Sequence, residues 1–310
     1  MAIFTLLPVT KKIIWGGNTL SEEYGIGKRG ESVAEAWQLT CRGDGDNVIC
    51  GGEYDGRLFS EYIADHPEAV GTKNKMGRFP LLIKLIDAKS DLSIQVHPDD
   101  KYAMAHTDDL GKTEMWYIVD AQPGAKLVYG MKKKYSRGEI KNAIAEGTLE
   151  NLMNYVPVSK GEVYFIPSGL VHAIGGGILI AEIQQNSNIT YRVYDYNRRG
   201  ADGSLRQLHV EQALDVFEQC DPDNIRHTAG NGTLAECEFF AVRLLEGRTS
   251  AKLTAGEESF VHFMCIEGEG EIRGGGTAVQ IKKGGSVFAS AGTGDIEVVT
   301  DNAKIIVTTM

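Results

Sequence analysis

The chain has 310 residues, of which 42% are hydrophobic, 37 are glycine and 8 are proline. This length is ample for one large or two small hydrophobic cores, and the composition is typical of an ordered, turn-rich globular protein. The formal net charge of −10 argues against a nucleic-acid partner, which needs a basic surface to neutralise phosphates. No apolar stretch reaches membrane-spanning length, so we expect no membrane partner.

The cysteines and the N-terminus bear on the cellular compartment. The cysteines are odd in number and widely spaced, at Cys41, Cys50, Cys220, Cys237 and Cys265. They form no metal-binding pair, and a reducing environment is their natural setting. The apolar run Ile3–Leu7 is too short for a signal peptide and lacks a preceding positive charge. These features predict a cytoplasmic protein.

Short apolar segments bounded by Gly, Asp and Asn predict a mainly β chain with few, short helices. Ser60 is placed to cap a helix over 61–64. Residues 79–86 then form an apolar strand in which Lys84 is the exception. An inward-pointing lysine would be a candidate for phosphate contact or for proton transfer with a lowered pKa. The alternative is that Lys84 extends outward to solvent.

The segment 93–100 places two potential metal ligands on one strand. Side chains alternate along a strand, so Gln95 and His97 share one face while Ile94 and Val96 occupy the other. Pro98 ends this strand, and the acidic residues after it favour a short helix over 98–108.

A second apolar strand covers 115–119 and is entered through Glu114. Ser136 and Glu139 have the spacing of a capping box, which opens a helix through residue 145. Glu114 therefore adds a carboxylate to the two potential ligands of the segment 93–100, the amide of Gln95 and the imidazole of His97.

Residues 161–172 read G-x-x-x-x-x-P-x-G-x-x-H. The apolar run 163–166 is a buried strand, and Pro167 and Gly169 force a sharp corner after it. His172 then stands at the start of the returning strand, pointing into a barrel. This spacing resembles the second histidine motif of the cupin superfamily, whose small β-barrels hold a metal.

Gln95, His97, Glu114 and His172 converge if their strands are neighbours. Imidazole with carboxylate suits zinc, and also Fe(II), Mn, Co or Ni. The alternative is that the histidines are satisfied within the core and Glu114 is a surface acid. We favour a metal site for the whole set, because apolar interiors rarely hold charge without a partner.

The C-terminal part shows a similar rhythm without a ligand set. A helix over 209–219 has an apolar stripe that indicates core contact. Residues 221–236 are polar and predict a linker. Strands follow at 239–245, 260–266, 279–281, 286–289 and 305–308, with turns at 267–270 and 283–285. His262 is the only histidine between residues 237 and 310, and no carboxylate pairs with it at ligand spacing.

We therefore predict two cupin-like jelly-roll β-barrels, of which the second is degenerate and structural. The predicted domains are a catalytic cupin domain with helical insertions at 1–220, the linker at 221–236, and a degenerate cupin-like domain at 237–310.

Together these motifs resemble the type I mannose-6-phosphate isomerase family in its short bacterial form. The resemblance rests on S-I-Q-V-H-P-D-D, G-K-T-E-M-W-Y-I-V, P-S-G-L-V-H-A-I and E-I-Q-Q-N-S-N-I-T-Y-R-V-Y-D, and extends from about Lys12 to His209. It implies interconversion of mannose 6-phosphate and fructose 6-phosphate through a cis-enediol. It also implies one zinc ion per chain, held by Gln95, His97, Glu114 and His172.

The same resemblance places Arg192 in the active site, where a guanidinium can stabilise an enediolate or grip an oxyanion. The alternative is a surface arginine. Lys84 and Glu182 are candidates for proton transfer, and Ser93 and Lys112 for substrate contact. Asn188 stands where the family often has aspartate. The base therefore stays open among Lys84, Glu182 and a metal-bound hydroxide.

Two other functions fit parts of the pattern. Two histidines and a carboxylate also suit a cupin Fe(II) oxygenase, but the amide ligand and the cations Lys84, Lys112 and Arg192 are not needed for oxygen chemistry. A non-enzymatic sugar-phosphate-binding cupin is the second, although a binder has no need of an intact ligand set. We expect a small sugar phosphate as the partner, and the sequence does not indicate an oligomeric state.

Overall fold

The structure is a computed structural model and describes residues 2–200, 203–218 and 232–310. The chain divides into two compact units. The described residues of the first unit are 2–11, 18–85 and 232–310, and those of the second are 12–17, 86–200 and 203–218.

Strands dominate both units. In chain order they are β1 (Ile3–Leu7), β2 (Val9–Lys11), β3 (Glu35–Leu39), β4 (Cys41–Arg42), β5 (Gly45–Asp46), β6 (Val48–Cys50), β7 (Leu81–Ala88), β8 (Ile94–Val96), β9 (Glu114–Ala121), β10 (Lys126–Met131), β11 (Met153–Pro157), β12 (Val163–Ile166), β13 (His172–Ile174), β14 (Ile178–Gln185), β15 (Tyr191–Tyr194), β16 (Thr233–Glu236), β17 (Ala241–Ala255), β18 (Val261–Glu267), β19 (Glu269–Gly274), β20 (Thr277–Lys282), β21 (Ser286–Ala289) and β22 (Gly294–Thr309).

The α-helices are α1 (Thr19–Glu23), α2 (Phe59–Asp65), α3 (Asp100–His106), α4 (Arg137–Ala145) and α5 (Val210–Val216), with 3₁₀ turns at Gly52–Tyr54, Pro67–Val70 and Leu149–Leu152. The prediction of a mainly β protein with few short helices is confirmed, since strands account for 44% of the described residues and helices, with the 3₁₀ turns, for 16%. That each half closes into a jelly-roll barrel stays a prediction. No helix in the described part of the chain is long and apolar enough to cross a membrane.

The first unit is built on a sheet in the order β16-β17-β22-β18-β21-β1-β6, with β19 joined to β20 and β22. The N-terminal strand β1 lies within this sheet, because Ile3 pairs with Ala289 and Thr5 with Cys50. Inward side chains of this sheet, among them Phe263 and Ile305, form a buried apolar cluster.

This arrangement differs from the domains expected from the sequence. We predicted 1–220 as one domain, but 2–11 and 18–85 belong with 232–310, since β1 hydrogen-bonds to β21 on one side and to β6 on the other. Of the predicted linker 221–236, residues 221–231 lie outside the described residues. Its last residues form β16, which pairs with β17 and buries Leu234 and Ala235.

The second unit contains a five-stranded sheet in the order β11-β10-β13-β8-β15. One face of this sheet packs against α4 and α5, and Ile94 and Val96 lie in that core at 0% exposure. Gln95 and His97 therefore occupy the opposite face, as strand alternation predicted. A second ladder, β12-β9-β14, carries Glu114 and its neighbours.

Turn and cap residues set where these elements begin. Asp99 caps α3 by accepting a hydrogen bond from the Tyr102 amide at 2.7 Å, and Ser136 and Glu139 form the predicted capping box of α4. Gly169 turns the corner after β12 with a φ of +84°, and a Cβ there would lie 2.7 Å from Glu218. The expected Ser60 cap is wrong, because α2 already begins at Phe59.

Candidate metal centre and active site

Three predicted ligands meet in the second unit. His97 directly follows β8, and Glu114 and His172 are the first residues of β9 and β13. All are at most 1% exposed. The Nε2 atoms of the two histidines are 3.2 Å apart, and Glu114 Oε1 lies 3.9 Å from His97 Nε2 and 3.4 Å from His172 Nε2.

These distances fit one small ion. Ligand atoms bound at about 2.0–2.1 Å in a tetrahedron lie about 3.3–3.4 Å apart, and the observed separations bracket that value. Within the described residues this is the only group of three or more His, Cys, Asp or Glu side chains that could hold a metal. The expectation that these three residues come together is therefore met.

Backbone carbonyls orient both imidazole rings. His97 Nδ1 donates to the Ile189 carbonyl at 2.7 Å, and His172 Nδ1 donates to the Leu170 carbonyl at 2.8 Å. The Nε2 lone pairs then face the cluster, which is the arrangement that ligand histidines use. Burial lowers the pKa of His172 to about 3, so this ring is neutral at physiological pH and able to coordinate a metal.

Gln95 lies beside the cluster on the same sheet. It pairs in register with His172 on one side and with Arg192 on the other, and it shares its face with His97. The Ser93 hydroxyl donates to Gln95 Oε1 at 3.4 Å. The structure thus brings the predicted amide ligand alongside the histidines.

An ammonium and a second carboxylate adjoin the ligands. Lys112 Nζ lies 2.7 Å from Glu114 Oε2, 3.3 Å from His97 Nε2 and 3.8 Å from Glu182 Oε1. Lys112 is 5% and Glu182 is 3% exposed. Lys112 therefore places its positive charge between Glu114 and Glu182.

Arg192 on β15 is partly buried rather than a surface arginine. Its Nε donates to Ser93 Oγ at 3.2 Å and its Nη1 to the Gln207 carbonyl at 3.0 Å. Burial lowers the pKa of Arg192, and the neighbouring positive charges of Arg206 and Arg198 lower it further. Ser93 thus connects the guanidinium with the amide of Gln95.

Two further arginines in this cluster were missed from the sequence. Arg198 hydrogen-bonds to Asp195, and Arg206 Nη1 lies 3.3 Å from the same Asp195 oxygen. Three guanidinium groups therefore lie close enough to influence one another, and two of them share the Asp195 carboxylate. The signal available in the sequence was the density of arginines between 192 and 206.

Lys84 and Asn188 have other surroundings. Lys84 belongs to the first unit, is 4% exposed, and places Nζ 3.7 Å from Glu35 Oε2 and over the Trp37 ring. Its side chain therefore does not extend outward to solvent. The backbone N–H of Asn188 donates to Asp109 Oδ2 at 3.1 Å.

Comparison with known proteins points to one family. The sequence profile of the phosphomannose isomerase type I catalytic domain matches residues 3–126, and that of the mannose-6-phosphate isomerase cupin domain matches residues 231–310. Mannose-6-phosphate isomerase ManA of Bacillus subtilis is 38% identical over 299 residues, covering 94% of this chain and 93% of the relative. The mannose-6-phosphate isomerase of Streptococcus mutans is 44% identical over 213 residues, covering 69% and 67%.

The structure agrees with the sequence matches. A crystal structure of the mannose 6-phosphate isomerase from Bacillus subtilis aligns with a TM-score of 0.90 and 34% identity, and the alignment covers 100% of both chains. Similarity of this extent, in sequence and in structure, shows that the chain belongs to the type I phosphomannose isomerase family.

Proposed function

We propose that this protein is a zinc-dependent mannose-6-phosphate isomerase that interconverts mannose 6-phosphate and fructose 6-phosphate. The observation that carries the proposal is the buried His97–Glu114–His172 group, whose separations suit one zinc ion, in a chain of this family. Gln95 would complete the ligand set from the neighbouring register position. When bound, the metal supplies a Lewis acid for the sugar carbonyl and adjacent hydroxyl, and zinc suits a proton transfer because it has no redox chemistry.

Glu182 is the proposed proton carrier. The reaction moves a hydrogen from C2 to C1 and a hydroxyl proton from O2 to O1, through a cis-enediol. The Glu182 carboxylate takes the C2 proton and returns it to C1, and its Oε1 lies 3.8 Å from the Lys112 ammonium. Lys112 is also the proposed contact to a sugar hydroxyl. Lys84, held by Glu35, stays a predicted contact to the phosphate or a second proton carrier.

The arginine cluster has two proposed roles. Arg192, fixed by Ser93 and Gln207, stabilises the negative charge that develops on the enediolate. Arg198 and Arg206, which share the Asp195 carboxylate beside Arg192, are the proposed anchors of the substrate phosphate, because guanidinium groups bind phosphate oxygens well. Ser93, whose hydroxyl bonds both Gln95 and Arg192, is the proposed polar contact to the substrate between its metal-bound and phosphate-bearing ends.

The C-terminal segment from residue 237 is proposed to be structural. His262 is fully buried, its Nε2 is 2.8 Å from Ser286 Oγ, and the described residues around it form no metal-ligand group. The inward side chains of this C-terminal segment supply most of the apolar cluster that contains Ile3 of β1.

The test is a coupled assay of fructose 6-phosphate formation from mannose 6-phosphate, run alongside metal analysis of the purified protein. We expect about one zinc per chain, activity that is lost on chelation and activity that returns with zinc. The matched control is the same protein reloaded with Fe(II) and supplied with oxygen. Oxygen uptake without isomerase activity would refute the proposal in favour of an oxygenase, and binding without turnover would favour a sugar-phosphate binder.

A further inference from the structure

A buried tryptophan and Glu182 face each other on neighbouring strands beside the metal ligands. Trp116 on β9 pairs in register with Glu182 on β14, so both lie on the face that carries Glu114. The Trp116 Nε1–H donates to Glu182 Oε2 at 3.0 Å. Trp116 is 0% and Glu182 is 3% exposed. We propose that Trp116 is a positioning residue whose indole N–H fixes the Glu182 carboxylate for proton transfer, an inference that rests on the proposed function.

Glu182 needs such a donor because the terminal torsion of a glutamate is broad. Trp116 binds Oε2, while the cation of Lys112 lies 3.8 Å from Oε1. With a different partner beside each oxygen, rotation of the Glu182 carboxylate about its terminal torsion is restricted. Since Lys112 is also 2.7 Å from Glu114, the carboxylate is set relative to the metal ligands.

The tryptophan also contacts a ligand ring. Its ring packs edge-on against His172, with centroids 5.4 Å apart and planes at 80°. A phenylalanine would keep this apolar contact but has no N–H. A buried indole N–H can only donate, and here its acceptor is the carboxylate that we assign to proton transfer. The Trp116→Phe change therefore removes the hydrogen bond and also shortens a fully buried side chain, and these two effects have to be separated.

The kinetic test compares two matched variants. Trp116→Phe should keep wild-type metal content and a KM within about twofold, while kcat falls about 10- to 100-fold, the usual effect of losing a hydrogen bond to a charged group. Tyr164→Phe is the control, because Tyr164 pairs in register with Trp116 but donates to Glu162 Oε2 at 2.8 Å. It should leave kcat within about twofold.

Two further measurements separate positioning from packing. In a Glu182→Ala background, Trp116→Phe should change kcat by less than about twofold, because its partner is already gone. The protein has three tryptophans, so ¹⁵N labelling gives three indole N–H signals, and Trp116→Phe assigns one of them. In Glu182→Ala protein, with or without metal, that signal should move upfield and exchange faster.

Normal kcat in Trp116→Phe, or an equal loss of kcat with and without Glu182, would overturn the positioning role while leaving the isomerase proposal intact. Absence of isomerase activity in the wild-type protein would instead remove the proposed function. If Trp116→Phe fails to fold, the wild-type and Glu182→Ala spectra decide without an assignment: if none of the three indole signals moves, the inference is refuted.

Discussion

The clearest kinetic prediction concerns Arg192. Its guanidinium is held at two edges, by Ser93 Oγ at 3.2 Å and by the Gln207 carbonyl at 3.0 Å, so it is oriented before substrate binds. A preorganised donor that meets charge developing only in the transition state is worth about 2.7–4 kcal/mol. Arg192→Ala should therefore lower kcat by about 10²- to 10³-fold and keep the metal. Steady-state kinetics with parallel metal analysis measures both quantities.

Three companion variants sharpen this prediction. Arg192→Lys should recover less than about tenfold in kcat, since an ammonium cannot reproduce the planar guanidinium that reaches both partners. Arg206→Ala removes an equal charge from the same cluster and should mainly raise KM. Arg137→Ala is the matched control, because this half-exposed arginine bonds the Leu214 carbonyl and the acids of α5, and kcat should stay within about twofold.

An Arg192→Ala enzyme with unchanged kcat and a raised KM would refute the transition-state role. The guanidinium would then bind substrate and transition state equally, as a phosphate contact does.

The remaining predictions concern the amide ligand and the buried histidine of the first unit. Gln95→Ala should weaken metal retention and turnover less than His97→Ala, because an amide is a poorer ligand than imidazole; dialysis against graded chelator ranks the two. His262→Gln should leave kcat within about threefold, or about 0.65 kcal/mol. Burial lowers the pKa of His262 to about 3 from 6.5, so between these values the unfolded chain binds a proton that the folded chain excludes. The His262 contribution to stability should therefore fall as the pH drops below about 6.5, by about 3 kcal/mol near pH 4.5, and urea unfolding should show a loss smaller by about this amount in His262→Gln than in the wild type.

The metal site could be predicted because its determinants are local. Strand alternation put Gln95 and His97 on one face, and the corner at Gly169 delivered His172 to the start of β13. Only one step was non-local, namely that these strands are neighbours. The register of His172 with Gln95 joins β13 to β8, and the distances from Glu114 to both histidines show that β9 lies beside them.

Long-range pairing explains what the sequence could not predict. Nothing in the composition of β1 shows that it pairs with β21, because hydrogen bonds between distant segments leave no local pattern. The predicted turn at 267–270 covers only the start of β19, and its remaining residues were not predicted as strand, since most of its side chains are only partly buried or exposed and show no alternating apolar face. The bond from Trp116 to Glu182 likewise depends on the register of β9 with β14.

The most direct test of the account is metal content and turnover measured together in His172→Ala protein. His172 lies between His97 and Glu114 at 3.2 and 3.4 Å, so its imidazole is central to the proposed ligand set. We expect the variant to lose stoichiometric metal and isomerase activity together, while circular dichroism still shows a folded, mainly β protein. A His172→Ala protein that kept a full complement of metal and normal turnover would contradict the proposed metal centre.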